Sequence, residues 1–197
     1  MNKSAIVIPL YNEGNRFDTL YWRDNFNVLE DVVWVFVNDG STDNTLEVLK
    51  SFLMEKPSNA VLLNLDKNSG KAEAIRYGMN YILKNHNKRK ILGFIDSDRA
   101  FQTKEIASVI REFERKIEID NVDALYTSRI ALAGSNIERR TIRHLIGRLI
   151  STFIQRKSPI TIYDTQCGFK LFQINRDLQN ALIKPFATRW FFDLEIT

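Results

Sequence analysis

Short runs of apolar and β-branched residues recur along the chain, and segments with a helical spacing of apolar positions separate them. The runs predict four strands, over residues 5–8, 32–37, 60–63 and 91–95. Leu46, Leu49 and Leu53 share one face of the segment 43–55, which predicts a helix. Residues 71–83 and 103–117 predict two further helices, and residues 124–126 another strand. Strands and helices therefore alternate along this part of the chain.

This alternation predicts an α/β fold. Strands that are apolar almost throughout are typical of parallel sheets, because helices cover both faces of such sheets. We therefore expect a mainly parallel, Rossmann-like sheet flanked by helices on both faces. The chain has no internal repeat, low-complexity tract or linker, which indicates a single domain over residues 1–197.

The segment 137–157 combines many basic residues with an apolar helical face and ends before Pro159. Its basic residues include Arg139, Arg140, Arg143, Arg148, Arg156 and Lys157. Such a helix either carries a solvated basic face over a packed apolar stripe or lies on an anionic membrane surface. The chain ends on an apolar run over residues 190–197 with no polar tail, which indicates a longer natural protein.

The composition narrows the classes of function. Hydrophobic residues make up 44% of the chain, which suffices for a sizeable core and excludes general disorder. A single cysteine excludes an internal disulfide framework and fits a reducing compartment, and two histidines argue against a zinc site. The formal charge of +4 suits an anionic ligand or a membrane surface and does not require nucleic acid. With no signal peptide and no apolar run of about 20 residues, we expect a cytoplasmic protein, soluble or peripheral to a membrane.

Clusters of mostly polar residues follow all four predicted strands. They are Pro9, Tyr11, Asn12 and Glu13 after the first, Asn38, Asp39, Ser41 and Asp43 after the second, Asn68, Ser69, Gly70 and Lys71 after the third, and Asp96, Ser97 and Asp98 after the fourth. Ligands of an open α/β sheet bind outside the carboxyl ends of its strands. We therefore expect these groups to meet at one edge of the sheet and form a binding site.

Asp96 and Asp98 form the most informative pair. Residues i and i+2 at a strand end point to the same side, so both carboxylates can face one cation. Hard divalent cations take oxygen ligands and share them with substrate phosphates. A D-x-D triplet alone is more often a turn or a helix cap, but its place after a buried strand and beside three other polar loops favours a metal site.

Two neighbouring loops have both a structural and a functional interpretation. Gly40 gives the turn after the second strand its backbone freedom, and Ser41 or Asp43 can cap the next helix. That interpretation leaves Asp39 unexplained, and an acid at this place can accept hydrogen bonds from a base or a ribose. Lys71 begins a predicted helix, and a helix N-terminus with an added lysine favours phosphate. The glycine patterns of P-loop and dinucleotide-binding proteins are absent from the sequence.

Taken in order, residues 7–13, 37–43, 70–72 and 96–98 resemble the motifs of the family 2 inverting glycosyltransferases, which have the GT-A fold. Residues 128–129, 164–172 and 189–195 resemble the polyprenyl-phosphate branch, which includes dolichyl-phosphate β-glucosyltransferases and undecaprenyl-phosphate relatives. The resemblance extends over nearly the whole chain from Lys3. It implies a nucleotide-binding part over residues 1–100 and an acceptor part over residues 101–197.

The resemblance also implies a role for each matching residue. The nucleotide-sugar set is Pro9, Tyr11, Asn12, Glu13, Asp39, Ser41, Lys71, Asp96 and Ser97, with Mg²⁺ or Mn²⁺ on Asp96 and Asp98. The acceptor-phosphate set is Arg129, Arg143, Arg148 and Gln166, and the catalytic set is Asp164, Asp98 and Arg129. Two departures bear on these roles. Arg99-Ala100 follows the D-x-D triplet where several relatives have Leu-Gln, and the membrane helices of some relatives are absent from this sequence.

The resemblance implies inverting displacement of a hexose from a nucleoside diphosphate, with UDP-glucose favoured over GDP-mannose as donor. The implied acceptor is a dolichyl or undecaprenyl phosphate at the cytoplasmic face of a membrane, contacted through the basic segment 137–157. Three alternatives stay open. They are a soluble family 2 enzyme acting on a glycan or protein hydroxyl, a sugar nucleotidyltransferase, and a non-catalytic nucleotide-sugar or lipid-phosphate binding module. The nucleotidyltransferase is disfavoured because its usual glycine-rich loop is missing after the first strand.

Overall fold

A computed structural model of the protein describes residues 4–54, 59–127, 167–188 and 196. In these ranges the strands are β1 (Ser4–Leu10), β2 (Val33–Asp39), β3 (Ala60–Leu65), β4 (Ile91–Ile95), β5 (Ala124–Tyr126) and β6 (Phe169–Gln173). The helices are α1 (Thr19–Val28), α2 (Thr45–Met54), α3 (Lys71–Asn85), α4 (Thr103–Asp120) and α5 (Arg176–Ala181).

One six-stranded sheet organises these elements in the order β3-β2-β1-β4-β6-β5. Strands β1 to β4 are mutually parallel, whereas β6 runs antiparallel to both of its neighbours, β4 and β5. The strand order reverses at β1, because β2 and β3 are added on one side of it and β4 on the other. Such a reversal opens a crevice at the carboxyl ends of the flanking strands. Here that crevice lies between the ends of β1 and β4.

Helices pack on both faces of the sheet, as the sequence predicts. One face carries an aromatic core in which Trp22 of α1 contacts Phe36 of β2 at 5.2 Å between ring centroids, and α2 and α4 contribute Phe52 and Phe113. The other face is aliphatic and packs α3 against β1 and β2. These two cores fix the sheet edge relative to the helices that begin there.

Gly78 faces the sheet and lets helix α3 pack directly against it. A Cβ at Gly78 would stand 2.6 Å from Cγ1 of Val7 and 3.0 Å from Cγ2 of Val37. A glycine inside a helix lowers its intrinsic stability by about 1 kcal/mol relative to alanine, so close packing is the physical reason for one here. The close contact fixes the position of the α3 N-terminus, where Lys71 lies, relative to the ends of β1 and β2.

Three elements are absent from the pattern-based prediction. Helix α1 buries only Trp22, Asn25 and Phe26, and this sparse apolar stripe gives little helical periodicity. Strand β6 and helix α5 follow the segment 128–166, where the apolar pattern is irregular. The antiparallel β6 also makes the sheet mixed, although its first four strands are parallel as predicted.

The observed strands β1 and β2 extend further than their predicted ranges. Pro9, Asn38 and Asp39 were predicted to follow the strands, but they lie within the last residues of β1 and β2. Ladder hydrogen bonds between the neighbouring strands continue through these positions, where the residues are polar and the pattern loses its apolar character.

Some predicted features lie outside the described residues. They include the basic segment 137–157 and the motif residues 128–129 and 164–166. Within the described parts of the chain, no helix is both long enough and apolar enough to cross a membrane.

Candidate functional site

The loops after β1 and β2 are joined by hydrogen bonds through Asn12. Asn12 has a positive φ of 53°, a conformation that asparagine tolerates better than most residues. Its backbone N–H donates to Oγ of Ser41 at 3.0 Å, and its side-chain Oδ1 accepts from the backbone N–H of Thr42 at 2.9 Å. Ser41 in turn donates to Oδ1 of Asn38 at 2.5 Å. Asn12 and Ser41 therefore shape this edge of the sheet in addition to any contact with a ligand.

A second set of bonds joins the β1 loop to the start of α2. The N–H groups of Glu13 and Gly14 donate to Oγ1 of Thr45 at 2.8 and 2.9 Å. Asp43 lies two residues before Thr45, where this helix begins, and accepts from the backbone N–H of Thr45 at 3.0 Å. Hydrogen bonds, that of the Thr45 hydroxyl first among them, lower the pKa of Asp43 below its usual value. Gly40 has a φ of +59°, as expected of the turn.

Asp39 is buried to 2% exposure and holds the loop that precedes α3. Its Oδ1 accepts from the backbone N–H of Ser69 at 2.7 Å, and its Oδ2 accepts from the N–H of Gly70 at 2.8 Å. These charge-assisted bonds give Asp39 a structural role that sequence reasoning did not foresee. Because Lys71 follows directly, Asp39 also determines where the lysine side chain starts.

Lys71 reaches from the first turn of α3 to the end of β4. Its Nζ lies 2.5 Å from Oδ1 of Asp96, and the two side chains are only 29% and 24% exposed. The ammonium also lies 5.7 Å from the ring centroid of Phe94, within the range of a cation–π interaction. The structure thus brings together two predicted site residues that are separated by 25 positions in the sequence.

Gly168 lies against the carboxylate of Asp96. The backbone N–H of Asp96 donates to the carbonyl oxygen of Gly168 at 2.8 Å. A Cβ on Gly168 would stand 2.6 Å from Cγ and 3.0 Å from Cβ of Asp96, and closer still to Oδ2. Only a glycine leaves space for the Asp96 side chain in this position, so Gly168 belongs to the site although it carries no side chain.

We expect Gly168→Ala to disturb both stability and the site. The added methyl group must displace either Asp96 or strand β6, and overpacking of this kind costs about 1–3 kcal/mol. For a chain of this size, thermal unfolding should shift down by about 2–4 °C per kcal/mol. Thermal denaturation measures the change in stability, and a separate Mn²⁺ titration of the folded protein measures the change in affinity for the ion. An unchanged midpoint together with unchanged Mn²⁺ affinity would show that the contact has no such role.

Asp98 is exposed at the turn after β4. Its Oδ1 accepts from the backbone N–H of Ala100 at 3.1 Å, which fixes the turn. Arg99 has a φ of +60°, and its Nη1 lies 2.6 Å from Oδ2 of Asp18, the residue that caps α1. The arginine that departs from the family pattern is therefore paired with an acid of its own.

The acids of different loops lie near enough to influence one another's charge. Burial raises the pKa of Glu13 above its usual value, Arg16 opposes the shift, and Asp98 and Asp43 add to it. Burial also raises the pKa of Tyr21 to about 12, and Asp98 contributes to this shift as well. The carboxylate of Asp98 is thus within electrostatic reach of both the β1 loop and α1. The predicted convergence of acids at one sheet edge is present in the structure.

Sequence reasoning assigned no separate role to Lys170. This lysine is 1% exposed on β6, and its Nζ lies 5.6 Å from the ring centroid of Phe94 and 5.3 Å from that of Tyr126. The signal for it was a lysine inside an otherwise apolar strand run, because buried lysines are rare. Lys71 and Lys170 therefore both lie within cation–π range of the Phe94 ring.

Asp96 and Asp98 fit a hard divalent cation by the chemistry of their donor atoms. Carboxylate oxygens are the ligands preferred by Mg²⁺ and suit Mn²⁺. In the structure a cation, the Lys71 ammonium, already lies against Oδ1 of Asp96. Among the described residues, no group of three or more His, Cys, Asp or Glu side chains is placed to hold a metal. Further ligands to a metal on Asp96 and Asp98 would have to include donor or water oxygens, as is usual for Mg²⁺.

The other predicted residues divide into two groups. Pro9, Tyr11 and Ser97 lie at the same edge, and Tyr11 is 43% exposed, so its ring is available to a ligand. The predicted acceptor and catalytic residues Arg129, Arg143, Arg148, Asp164 and Gln166 lie outside the described residues.

The fold is shared with solved glycosyltransferases. Glucosyl-3-phosphoglycerate synthase from Mycobacterium tuberculosis, in a complex with Mn²⁺, UDP and glucosyl-3-phosphoglycerate, superposes with a TM-score of 0.66. The alignment covers 99% of this chain and 63% of the synthase at 16% identity, which establishes likeness of fold. The architecture is therefore the GT-A fold, as the sequence motifs implied.

Residues 5–176 match the model of glycosyl transferase family 2, and the chain belongs to that family. Two curated relatives are similar to this chain over nearly its whole length. The dolichyl-phosphate beta-glucosyltransferase ALG5C of Trichomonas vaginalis is 29% identical over 98% of this chain. The dolichyl-phosphate beta-glucosyltransferase of Saccharomyces cerevisiae is 30% identical over the same share. The chain spans 58% and 60% of the length of these two relatives.

Proposed function

We propose that this protein transfers a hexose, with inversion, from a nucleoside diphosphate sugar to a polyprenyl phosphate in a metal-dependent reaction. The donor we favour is UDP-glucose. The observation that carries the proposal is the apposition of Lys71 and Asp96, 2.5 Å apart, with Asp98 two residues further along the same turn. This combination of an acid pair and a cation suits a diphosphate bound through a divalent ion.

The donor side of the proposal follows from the crevice between β1 and β4. The exposed Tyr11 ring offers a surface for a base, and Glu13 lies close enough to Asp98 for the two charges to interact. The N-terminal turn of α3 brings its helix dipole and Lys71 toward the same place, which favours a phosphate group. Base, ribose and diphosphate would thus be met in order along one sheet edge.

Mg²⁺ or Mn²⁺ held by Asp96 and Asp98 would supply charge stabilisation for the departing nucleoside diphosphate. The contributions of the chain itself are positional. Asp39 fixes the loop before Lys71, Gly168 leaves room for Asp96, and Lys71 supplies a positive charge for the diphosphate. Holding the reactants in place in this way lowers the barrier without any proton transfer.

The acceptor side is proposed from the relatives and from chemistry. Both curated relatives are named for dolichyl phosphate and glucose transfer. A phosphate monoester has a second pKa near 6, so it is largely ionised at neutral pH and already nucleophilic. Arg129, with Arg143 or Arg148 and Gln166, would position it. The basic segment 137–157 would then contact the cytoplasmic face of a membrane.

The acceptor class is tested with Asp164→Asn. With undecaprenyl or dolichyl phosphate as acceptor, the variant should retain transfer within about threefold, because no proton has to be removed from an ionised phosphate. With a hydroxyl acceptor, loss of a general base should lower the rate by about 100-fold or more. Transfer of radiolabelled glucose from UDP-glucose measures both, with lipid-linked product counted in the organic extract and a glycan or protein product counted in the remaining aqueous material.

Four outcomes separate the candidates. Lipid-linked product with a nearly silent Asp164→Asn supports the proposal. Product only on a glycan or protein hydroxyl assigns the chain to the soluble family 2 alternative, and a severe Asp164→Asn defect with lipid phosphate contradicts the charge argument. Metal-dependent binding of UDP-glucose without transfer to any acceptor would identify a nucleotide-sugar binding module instead.

A further inference from the structure

The ion pair between Lys71 and Asp96 joins two groups that would have other partners when the donor binds. Asp96 would bind the metal, and Lys71 would contact the diphosphate. The Lys71 ammonium lies 2.5 Å from Oδ1 of Asp96, and both side chains are about three-quarters shielded from solvent. A divalent cation on Asp96 and the Lys71 ammonium would compete for the same carboxylate, because like charges cannot share it at short distance without repulsion. A metal bound at Oδ1 would therefore have to take the place of the lysine.

The displaced lysine has a defined place to go. The bonds from Ser69 and Gly70 to Asp39 fix the two residues that precede the lysine, so the movement falls to its flexible side chain. The same edge is where the proposed donor would place its diphosphate, next to the first turn of α3. A diphosphate offers the ammonium a new anion at the moment that the metal takes the old one.

We propose that Lys71 is a switch that couples metal binding to nucleotide binding. Without ligand, Lys71 occupies Asp96 and keeps the carboxylate from repelling its acidic neighbours. When metal and diphosphate bind together, the metal takes Asp96 and Lys71 moves to the phosphates. Each ligand that binds alone carries the full free-energy cost of breaking the ion pair. When the two ligands bind together, that cost arises only once. This inference rests on the proposed function, because it takes a nucleoside diphosphate as the ligand of the site.

The coupling free energy is what distinguishes a switching lysine from a static one. A lysine that stays in place repels the metal and attracts the diphosphate independently, so it leaves the coupling between the two ligands unchanged. A switching lysine adds favourable coupling between metal and diphosphate. The size of this coupling equals the weaker of the two interactions that the lysine makes, one with Asp96 and one with the diphosphate. A partly shielded ion pair of this kind corresponds to about a fivefold effect.

The experiment compares wild type with Lys71→Met, using UDP and Mn²⁺ as probes. Free Mn²⁺ is followed by electron paramagnetic resonance with and without UDP, and UDP binding is followed by calorimetry with and without Mn²⁺. In Lys71→Met, Mn²⁺ alone should bind about fivefold more tightly, and the factor by which Mn²⁺ tightens UDP should fall about fivefold. Lys84→Met is the matched control, since Lys84 is an exposed lysine in the last turn of the same helix. It should change neither quantity.

Each outcome decides a separate question. If wild type binds UDP neither with nor without Mn²⁺, the proposed function fails. If wild type shows coupling and Lys71→Met shows the same coupling, the function stands and the switch is wrong, even if Mn²⁺ alone binds more tightly. If the coupling falls in Lys71→Met and not in Lys84→Met, the switch is supported.

Discussion

Asp98→Asn is expected to lower metal-dependent transfer from UDP-glucose by about 100-fold or more, while leaving the fold intact. The amide keeps an Oδ1 that can accept from the N–H of Ala100, so the turn after β4 should persist. The substitution removes the negative charge that a divalent ion needs, and an amide oxygen is a much weaker ligand than a carboxylate. In the proposed reaction, a divalent ion held there would stabilise the departing diphosphate by several kcal/mol, which is why the expected loss is large.

The measurement is the initial rate of glucose transfer over a Mn²⁺ titration, with thermal unfolding of both proteins as a check on folding. Asp24→Asn serves as the matched control, because Asp24 is an exposed acid on α1 and the same change in charge is made there. The control should transfer at the wild-type rate. A normal rate with normal Mn²⁺ dependence in Asp98→Asn would remove Asp98 from the metal site.

Asp39→Asn is expected to destabilise the protein by about 3 kcal/mol. The Asp39 carboxylate is buried and accepts from two backbone N–H groups, those of Ser69 and Gly70. Asparagine can accept from only one of them, and its NH₂ group would face the other as donor against donor. At this chain length, the midpoint of thermal unfolding should fall by about 6–12 °C. Because the same loop carries Lys71, affinity for UDP should fall as well.

Thermal unfolding by circular dichroism and calorimetric UDP titration measure the two effects of Asp39→Asn. Asp66→Asn is the control, since Asp66 is an exposed acid just after β3, and surface changes of this kind stay within about 0.5 kcal/mol. A stable Asp39→Asn protein that loses only UDP affinity would assign Asp39 to the ligand alone. Loss of stability with normal UDP affinity would assign it to the fold alone.

The parts of the fold that could be predicted from sequence are those with strong local periodicity. Strands β1, β2 and β4 are buried on both faces, so their apolar runs are continuous, and α3 and α4 carry regular apolar stripes. Helix α1 could not be predicted in this way, because its burial depends on one tryptophan and one phenylalanine that pack into an aromatic core built by other elements. The direction of β6 depends on pairing with β4, which is a long-range property with no local signal.

In the candidate site, too, the features with a local sequence signal could be predicted and those that depend on long-range contacts could not. The spacing of Asp96 and Asp98 placed the acids at a strand end, and topology then brought the other loops to them. Asp39 bonds to backbone amides, and Gly168 contacts Asp96. Each of these contacts joins residues 30 or more positions apart, and nothing in the local sequence indicates it. The ion pair of Lys71 with Asp96 likewise depends on how closely α3 packs on the sheet, which Gly78 determines. Sequence alone therefore predicted that Asp39, Lys71 and Asp96 meet at one sheet edge, but neither the place of Gly168 nor the bonds between these residues.

The central claim is that this sheet edge binds a nucleoside diphosphate sugar through a divalent ion. The most direct test is a calorimetric titration of the wild-type protein with UDP-glucose, once in Mn²⁺ and once in EDTA. The account predicts saturable binding at one site per chain, at least about tenfold tighter in Mn²⁺. Equal affinity in Mn²⁺ and EDTA, or no binding in either, would contradict it.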